Sequence, residues 1–400
     1  MREPMIAEFP LEEYRQRLNK LINGMHQQGM DAVILSSKEN VRYFVGLRSI
    51  VWDSKIAVPG VLIINANGDM TIVSSASNQP TVIATTVLSP ETLISYSASA
   101  KDGPHTFSEG MAYAIEKLGL KSARVGMELG TGFRLQFPYP NQQAVFSLLS
   151  QAEVLDAGPL LWKIRRIKST AEIAILRRAC EINSLAYEKG FSSIVCGKTT
   201  ESELNQIIVM ESFRLGAEGM CPLGIRCGLE RYPQGNCPPS DRIIGLQEGE
   251  MMLVDGGPCY KGYYSDIIRQ AVSGKPTDRQ RTLFHIAAEG NILGLSMICP
   301  GLPIREVTNA IDKFYADKGF DNLNRSRGWT GHGIGLDVHE LPTIDQGCEE
   351  VFEPGMVMSL EPELFDPTCG VFGVEQNFLV TETGCEVLTL VPTDLIELPM

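Results

Sequence analysis

Met251-Met-Leu-Val-Asp255-Gly-Gly-Pro-Cys-Tyr-Lys-Gly-Tyr-Tyr-Ser-Asp266-Ile-Ile-Arg-Gln-Ala-Val272 is the stretch that decides how this chain is read. Met251 to Val254 is an apolar run of strand length, and it ends in a carboxylate. Gly256 to Gly262 has turn composition. Tyr263 to Val272 then reads as a returning strand that carries Asp266. In such a hairpin Asp255 and Asp266 sit side by side and point to one face. Two buried like charges are costly unless a cation or a proton lies between them. The plain alternative is an exposed hairpin whose aspartates only cap turns.

A second hairpin argues against that alternative. Met356-Val-Met-Ser-Leu-Glu361 is again an apolar strand ending in an acid, and Val371-Phe-Gly-Val-Glu375-Gln-Asn-Phe-Leu-Val carries an acid inside an apolar strand. Such a glutamate is seldom left unpaired. Between the hairpins stands Thr330-Gly-His332-Gly-Ile-Gly-Leu-Asp-Val-His339-Glu340, whose glycines permit close backbone approach. Asp255, Asp266, Glu361, Glu375 and His332 form an oxygen-rich set whose four negative charges balance two divalent ions. Mn²⁺, Co²⁺, Fe²⁺ or Zn²⁺ in a paired site suits these donors better than a thiolate site does. Two such ions activate water as a nucleophile near neutral pH. His339 is read as catalytic, with a packed loop histidine as the alternative.

Working outward, each hairpin follows a long helical segment and a second helix that opens after a glycine, at Gly197 and at Gly301. Two halves of one plan, each offering an acidic pair, suggest a pseudo-twofold site at their junction. Upstream, Ser169-Thr-Ala-Glu172 is a capping box that opens a helix to about Tyr187. The basic connector before it, from Leu161, marks the boundary between residues 1–160 and 161–400. The earlier part alternates helix and strand. Leu11 to Gln28 has helical spacing up to the Gly29 break, and Asp31-Ala-Val-Ile-Leu-Ser and Val61-Leu-Ile-Ile are buried strands. Together these form a small α/β domain.

The chain has 400 residues, which fits two domains, and its 44% apolar content supplies a full core. A net charge of -13 repels phosphate backbones, so nucleic acid is not an expected partner. No stretch reaches the roughly 20 apolar residues of a membrane helix, and the first residues carry no secretory pattern. The ten cysteines all lie at or after Cys180, none in a C-x-x-C pair. They read as reduced thiols of a cytoplasmic protein.

Asp-x10-Asp, Gly-His-Gly-Ile-Gly with a second histidine seven residues on, and Glu-x13-Glu occur here in one order. In that order they resemble the pita-bread superfamily of creatinase and methionine aminopeptidase, in the branch of prolidase, aminopeptidase P and creatinase. Ser37-Lys-Glu-Asn40-Val-Arg-Tyr43-Phe-Val-Gly46 resembles the small domain of that branch, so the likeness covers nearly the whole chain. It implies an α/β N-terminal domain and an α+β pita-bread C-terminal domain with an internal pseudo-twofold. It also implies two divalent metal ions, with manganese favoured over cobalt, iron or zinc. Asp255 would bind one ion, His332 and Glu361 the other, and Asp266 and Glu375 would bridge. Glu361 would shuttle a proton, and His339 would hold the substrate carbonyl. A homodimer is implied as well, in which Arg48 and Trp52 contact a small-molecule substrate.

The chain departs from the peptidases at an informative place. They carry a further histidine ahead of the first aspartate, where this chain has Tyr232-Pro-Gln-Gly-Asn236-Cys237. The five histidines are His26, His105, His285, His332 and His339. Gly328 stands where prolidases have a histidine before the Gly-His motif. Asn236 and Arg231 are read as substrate contacts. Arg226 and Arg231 suit a carboxylate, with a loop salt bridge as the alternative. The leading expectation is hydrolysis of an amide or amidine C–N bond in a non-peptide compound of ectoine or creatine type. Xaa-Pro dipeptide cleavage, a metal-dependent lyase reaction and a non-catalytic binding role stand as alternatives. The lyase branch has a second aspartate where this chain has Gly257.

Overall fold

The computed structural model describes residues 1–400 except 55–57, 231–236 and 324–327. The chain forms two compact units, Met1–Arg165 and Arg166–Met400.

The first unit is the expected α/β layer. Helix Leu11–Gln28 ends where Gly29 takes a left-handed φ of 63°, a conformation that costs other residues a Cβ clash. Strand Ala32–Leu35 lies at the centre of a six-stranded sheet, antiparallel to Val61–Asn65 and parallel to Arg124–Met127. Ser37 caps helix Lys38–Val45 by accepting from the backbone N–H of Asn40. Glu128 is fully buried and accepts from the backbone N–H groups of Ser36 and Ser37 and from Asn40 Nδ2. These bonds make the Ser37-to-Asn40 signature a structural junction.

The second unit repeats one plan twice. Helices Thr170–Ser192 and Glu201–Arg214 pack together ahead of strands Met251–Gly256 and Ile267–Ser273. Helices Asp278–Met297 and Arg305–Asp317 pack together ahead of strands Val357–Leu360 and Gln376–Val380. The capping box Ser169–Glu172 forms, and its helix runs to Ser192, beyond the expected end near Tyr187. Alternation along Met251–Gly256 divides the core. Met251 and Leu253 face a cluster with Ile268, Phe284, Ile311 and Phe378. Met252 and Val254 face another with Tyr187, Ile208, Ile225 and Ile267. A sheet buried on both faces holds its strands firmly, since each fully buried large apolar side chain contributes about 1.5–3 kcal/mol.

Both hairpins are more broken than the sequence suggests. The first return strand divides into Tyr263–Tyr264, paired with Pro258–Tyr260, and Ile267–Ser273, paired with Met251–Gly256. Gly256 bends the chain there with a φ of 121°. The second divides into Gly370–Gly373 and Gln376–Val380. Asp266 and Glu375 therefore sit at strand entrances rather than inside strands.

Candidate metal centre and substrate cavity

Register determines how the carboxylates meet. Asp255 pairs with Ile268, so Asp266 is its diagonal neighbour on the same face and not its direct partner. Leu360 pairs with Gln376 at the end of its ladder, and just beyond it Glu361 and Glu375 bring ligand atoms within 4.8 Å of one another. The two ladders are stitched together where the N–H of Glu375 donates to the carbonyl of Ile268. Gly257 has no room for a side chain, because a Cβ would lie 2.1 Å from Ser265 O and 2.2 Å from Asn183 Nδ2.

His332 enters from strand Gly331–Gly333, which lies between Glu340–Ile344 and Val357–Leu360. Its Nδ1 lies 2.9 Å from Gly333 O. That leaves Nε2 facing Glu361 Oε1 at 3.5 Å, Glu375 Oε1 at 3.8 Å and Asp266 Oδ2 at 3.9 Å. His332 Nε2, Asp266 Oδ1 and Glu375 Oε2 are buried without a hydrogen-bond partner among the described residues. Orphaned buried acceptors and an imidazole nitrogen converging on one point are what a cation would satisfy. Three triads have ligand atoms within 4.8 Å of one another: Asp255, Asp266 and Glu375; His332, Glu361 and Glu375; and Asp266, His332 and His339. The first two share Glu375, so the donor set fits two neighbouring divalent ions.

Electrostatics support the same fit. Burial, then the charge of Asp255, holds Asp266 well above the usual carboxylate range. Burial also raises Glu361 and Glu375, with charge repulsion from Asp255 and Asp266 adding to both. Burial, then His339, lowers His332 to about 3, so its ring is neutral and ready to act as a ligand at physiological pH. His339 is lowered by desolvation, although the residue is exposed.

Several supporting groups carry no sequence motif. Trp329 Nε1 donates to Glu361 Oε1 at 3.1 Å, and its ring lies 5.6 Å from that of His339. Asn377 clamps the backbone of Asp266, accepting from its N–H at 3.1 Å and donating to its carbonyl at 2.7 Å. Ser359 Oγ donates to Glu375 Oε1. Arg269 donates to the Glu375 carbonyl at 2.7 Å. Trp329 precedes the Gly-His motif by two residues, a position where a large indole was the one available sequence signal. Asn377 and Ser359 lie within apolar strands and gave none. Glu340 pairs with Lys168 at 3.1 Å.

A cavity of about 760 Å³ opens beside the carboxylates, walled in part by Asp255, Asp266, Glu361, Trp329, His339 and Gly224. That volume suits a small molecule. His26, His105 and His285 are exposed. Arg231 and Asn236 lie outside the described residues. Arg48 belongs to the first unit, where its Nε lies 3.4 Å from Glu8, and Trp52 sits half-buried on the short helix Ile50–Asp53. No helix among the described residues is long and apolar enough to cross a membrane.

Comparison with known proteins gives two family matches. Metallopeptidase family M24 matches residues 174–382, and the creatinase/prolidase N-terminal domain matches residues 17–167. The chain is 27% identical to the uncharacterized peptidase YqhT of Bacillus subtilis, across 95% of this chain and 99% of that protein. It is 26% identical to an Xaa-Pro dipeptidase of Pyrococcus horikoshii, across 95% and 99%. The solved Xaa-Pro dipeptidase from Bacillus anthracis superposes with a TM-score of 0.81 at 25% identity, covering 96% of this chain and all of that one.

Proposed function

The chain belongs to metallopeptidase family M24, and from that premise we propose that it is a two-metal hydrolase cleaving a C–N bond in a small non-peptide amide or amidine of ectoine or creatine type. The observation that carries the reading is the convergence of Asp255, Asp266, His332, Glu361 and Glu375, with buried lone pairs left unsatisfied. Asp255 and Asp266 would hold one ion, His332 and Glu361 the other, and Glu375 would be shared, with Asp266 close enough to bridge. Bound there, the ions supply Lewis-acid charge and lower the pKa of water. Manganese is our choice among manganese, cobalt, iron and zinc.

The remaining steps fall to the chain's own side chains. Glu361, held by the indole of Trp329, takes a proton from the attacking water and passes it to the leaving nitrogen. His339, at the cavity wall, donates to the oxygen or nitrogen on which negative charge builds. His332 stays neutral and fixed by Gly333. The non-peptide assignment is supported by the histidine inventory: His332 and His339 are the two in the ligand cluster, and no histidine occurs between His105 and His285. Xaa-Pro dipeptide cleavage is the second reading, favoured by the full-length likeness to the Pyrococcus horikoshii and Bacillus anthracis dipeptidases. An acid at position 257, as in the lyase branch, would collide with the backbone of Ser265. We also take the protein to be a cytoplasmic homodimer, with Arg48, Trp52, Arg231 and Asn236 as substrate contacts. Its ten free cysteines suit a reducing compartment.

The test is a Mn²⁺-replete panel of Xaa-Pro dipeptides, ectoine-type cyclic amidines and guanidino acids, with products read by mass spectrometry. We expect uptake of one water and cleavage among the non-peptide compounds, abolished by a chelator and restored by Mn²⁺. Rapid Xaa-Pro cleavage would sink the non-peptide reading. Turnover indifferent to chelation would sink the mechanism.

A further inference from the structure

Arg226 lies on strand Gly224–Cys227 and is 2% exposed. Its Nε and Nη1 are buried with no hydrogen-bond partner among the described residues. The other buried arginine among the described residues of this unit is fully engaged. Arg269, at 1% exposure, donates to the carbonyls of Ile268, Glu375, Val391 and Pro392 and to Gln376 Oε1. A guanidinium is always charged, and burying one without a partner is among the costliest arrangements a fold can keep. Such a group asks for an anion.

Register shows which way it faces. Gly224 pairs with Asp255 and Arg226 with Leu253, so these four residues share one face of the sheet. A Cβ on Gly224 would lie 3.9 Å from Asp255 Oδ2, so this is the face that bears the carboxylate. Gly224 and Asp255 both line the cavity. Arg226 is one two-residue step away, about 6.6 Å along the strand. An arginine side chain is long enough to span that step.

We propose that Arg226 forms an anion-binding corner of the substrate cavity and recognises a carboxylate on the substrate. This rests on the two-metal hydrolase reading, and it names the group by which substrates are selected. A carboxylate presents two coplanar oxygens that match the guanidinium fork. The argument from charge is direct. Three acidic side chains, Asp255, Asp266 and Glu361, line this cavity, so a substrate bearing a carboxylate needs a cation set apart from the metal ligands. Arg226 provides one on the side of Asp255, and it orients the substrate so that its C–N bond faces the ion site.

Calorimetry on the full-length Mn²⁺-loaded protein tests this without requiring turnover. The probes are N-acetyl-L-proline and N-acetylglycine, each beside its uncharged primary amide, with inorganic phosphate as a third arm. A charge-assisted bond corresponds to about tenfold to a hundredfold tighter binding of each acid than of its amide. R226M should abolish that preference while Mn²⁺ stoichiometry and Tm hold, and R226K should keep part of it as a point charge. Equal binding of acid and amide by the native protein, no binding of either, a preference retained in R226M, or phosphate binding tighter than the acids would each overturn the proposal. If R226M does not fold, the same comparison in R226K and R226Q decides. Should no C–N substrate turn over while R226M still loses the acid preference, the reaction is wrong and Arg226 stands. Should turnover proceed with kcat/KM unchanged in R226M, the reaction stands and Arg226 does not.

Discussion

Replacing Lys168 with methionine should unfold the second unit at a markedly lower temperature and weaken catalysis from a distance. Lys168 Nζ lies 3.1 Å from Glu340 Oε2, and the two side chains are 2% and 1% exposed. Glu340 Oε1 also accepts from the backbone N–H of Asp337. The pair therefore anchors the loop that carries His339 from Gly333 round to strand Glu340–Ile344. Removing Lys168 takes away the cation that faces a buried carboxylate, and breaking such a buried pair costs about 3–5 kcal/mol. In a unit of this size each kcal/mol moves Tm by about 2–4 °C, so K168M should lower Tm by about 6–20 °C. Removing both charges in K168M/E340L should recover most of that loss, because an apolar pair of similar volume is often neutral. Thermal scans of the Mn²⁺-loaded single and double variants give the comparison. A K168M shift under about 2 °C, well below what that loss implies, would refute the reasoning. So would a double variant as unstable as the single one.

The metal-free protein should behave oppositely to most acidic proteins. Burial raises Asp266, Glu361 and Glu375 in the fold, so the folded chain holds their protons more tightly than the unfolded one. The stability they contribute is full below the ordinary carboxylate pKa of about 4 and is lost as pH rises through the raised values. Tm of chelated protein should fall from pH 5 to pH 8, Mn²⁺ should reverse the trend, and D266N should flatten it. H339Q should lose about 10²–10⁴-fold in kcat at unchanged Mn²⁺ stoichiometry; loss of metal instead would make His339 a ligand. W329F removes the bond to Glu361 and should cost about tenfold or more in kcat with little change in KM; unaltered kcat would show that Glu361 needs no indole to orient it.

The parts of this architecture that were legible in the sequence are those set by period and punctuation. Leu11–Gln28 closes at Gly29 because only glycine takes that left-handed turn cheaply, and the Ser169–Glu172 capping box opens its helix where expected. The convergence of Asp255, Asp266, His332, Glu361 and Glu375 was legible because acids on apolar strands conflict with burial unless something compensates them. Register was not legible. The break at Gly256 and the strand entrance at Ile267 make Asp255 and Asp266 diagonal neighbours, and alternation alone does not place a break. Trp329, Asn377 and the partnerless state of Arg226 were not legible, for a common reason. An indole, an amide or a guanidinium beside a strand looks like ordinary packing or a loop salt bridge until its polar atoms are seen to be aimed at a carboxylate, clamped on a backbone or left without a partner.

The central claim is that five side chains hold two ions, with Glu375 common to both. Titration of dialysed protein with Mn²⁺, followed by calorimetry and checked by elemental analysis, counts those ions directly. Two ions per chain in the native protein, and a disturbance of both sites together in E375Q, is the predicted result. A native chain that takes up no ion, or two ions bound just as tightly by E375Q, would contradict it.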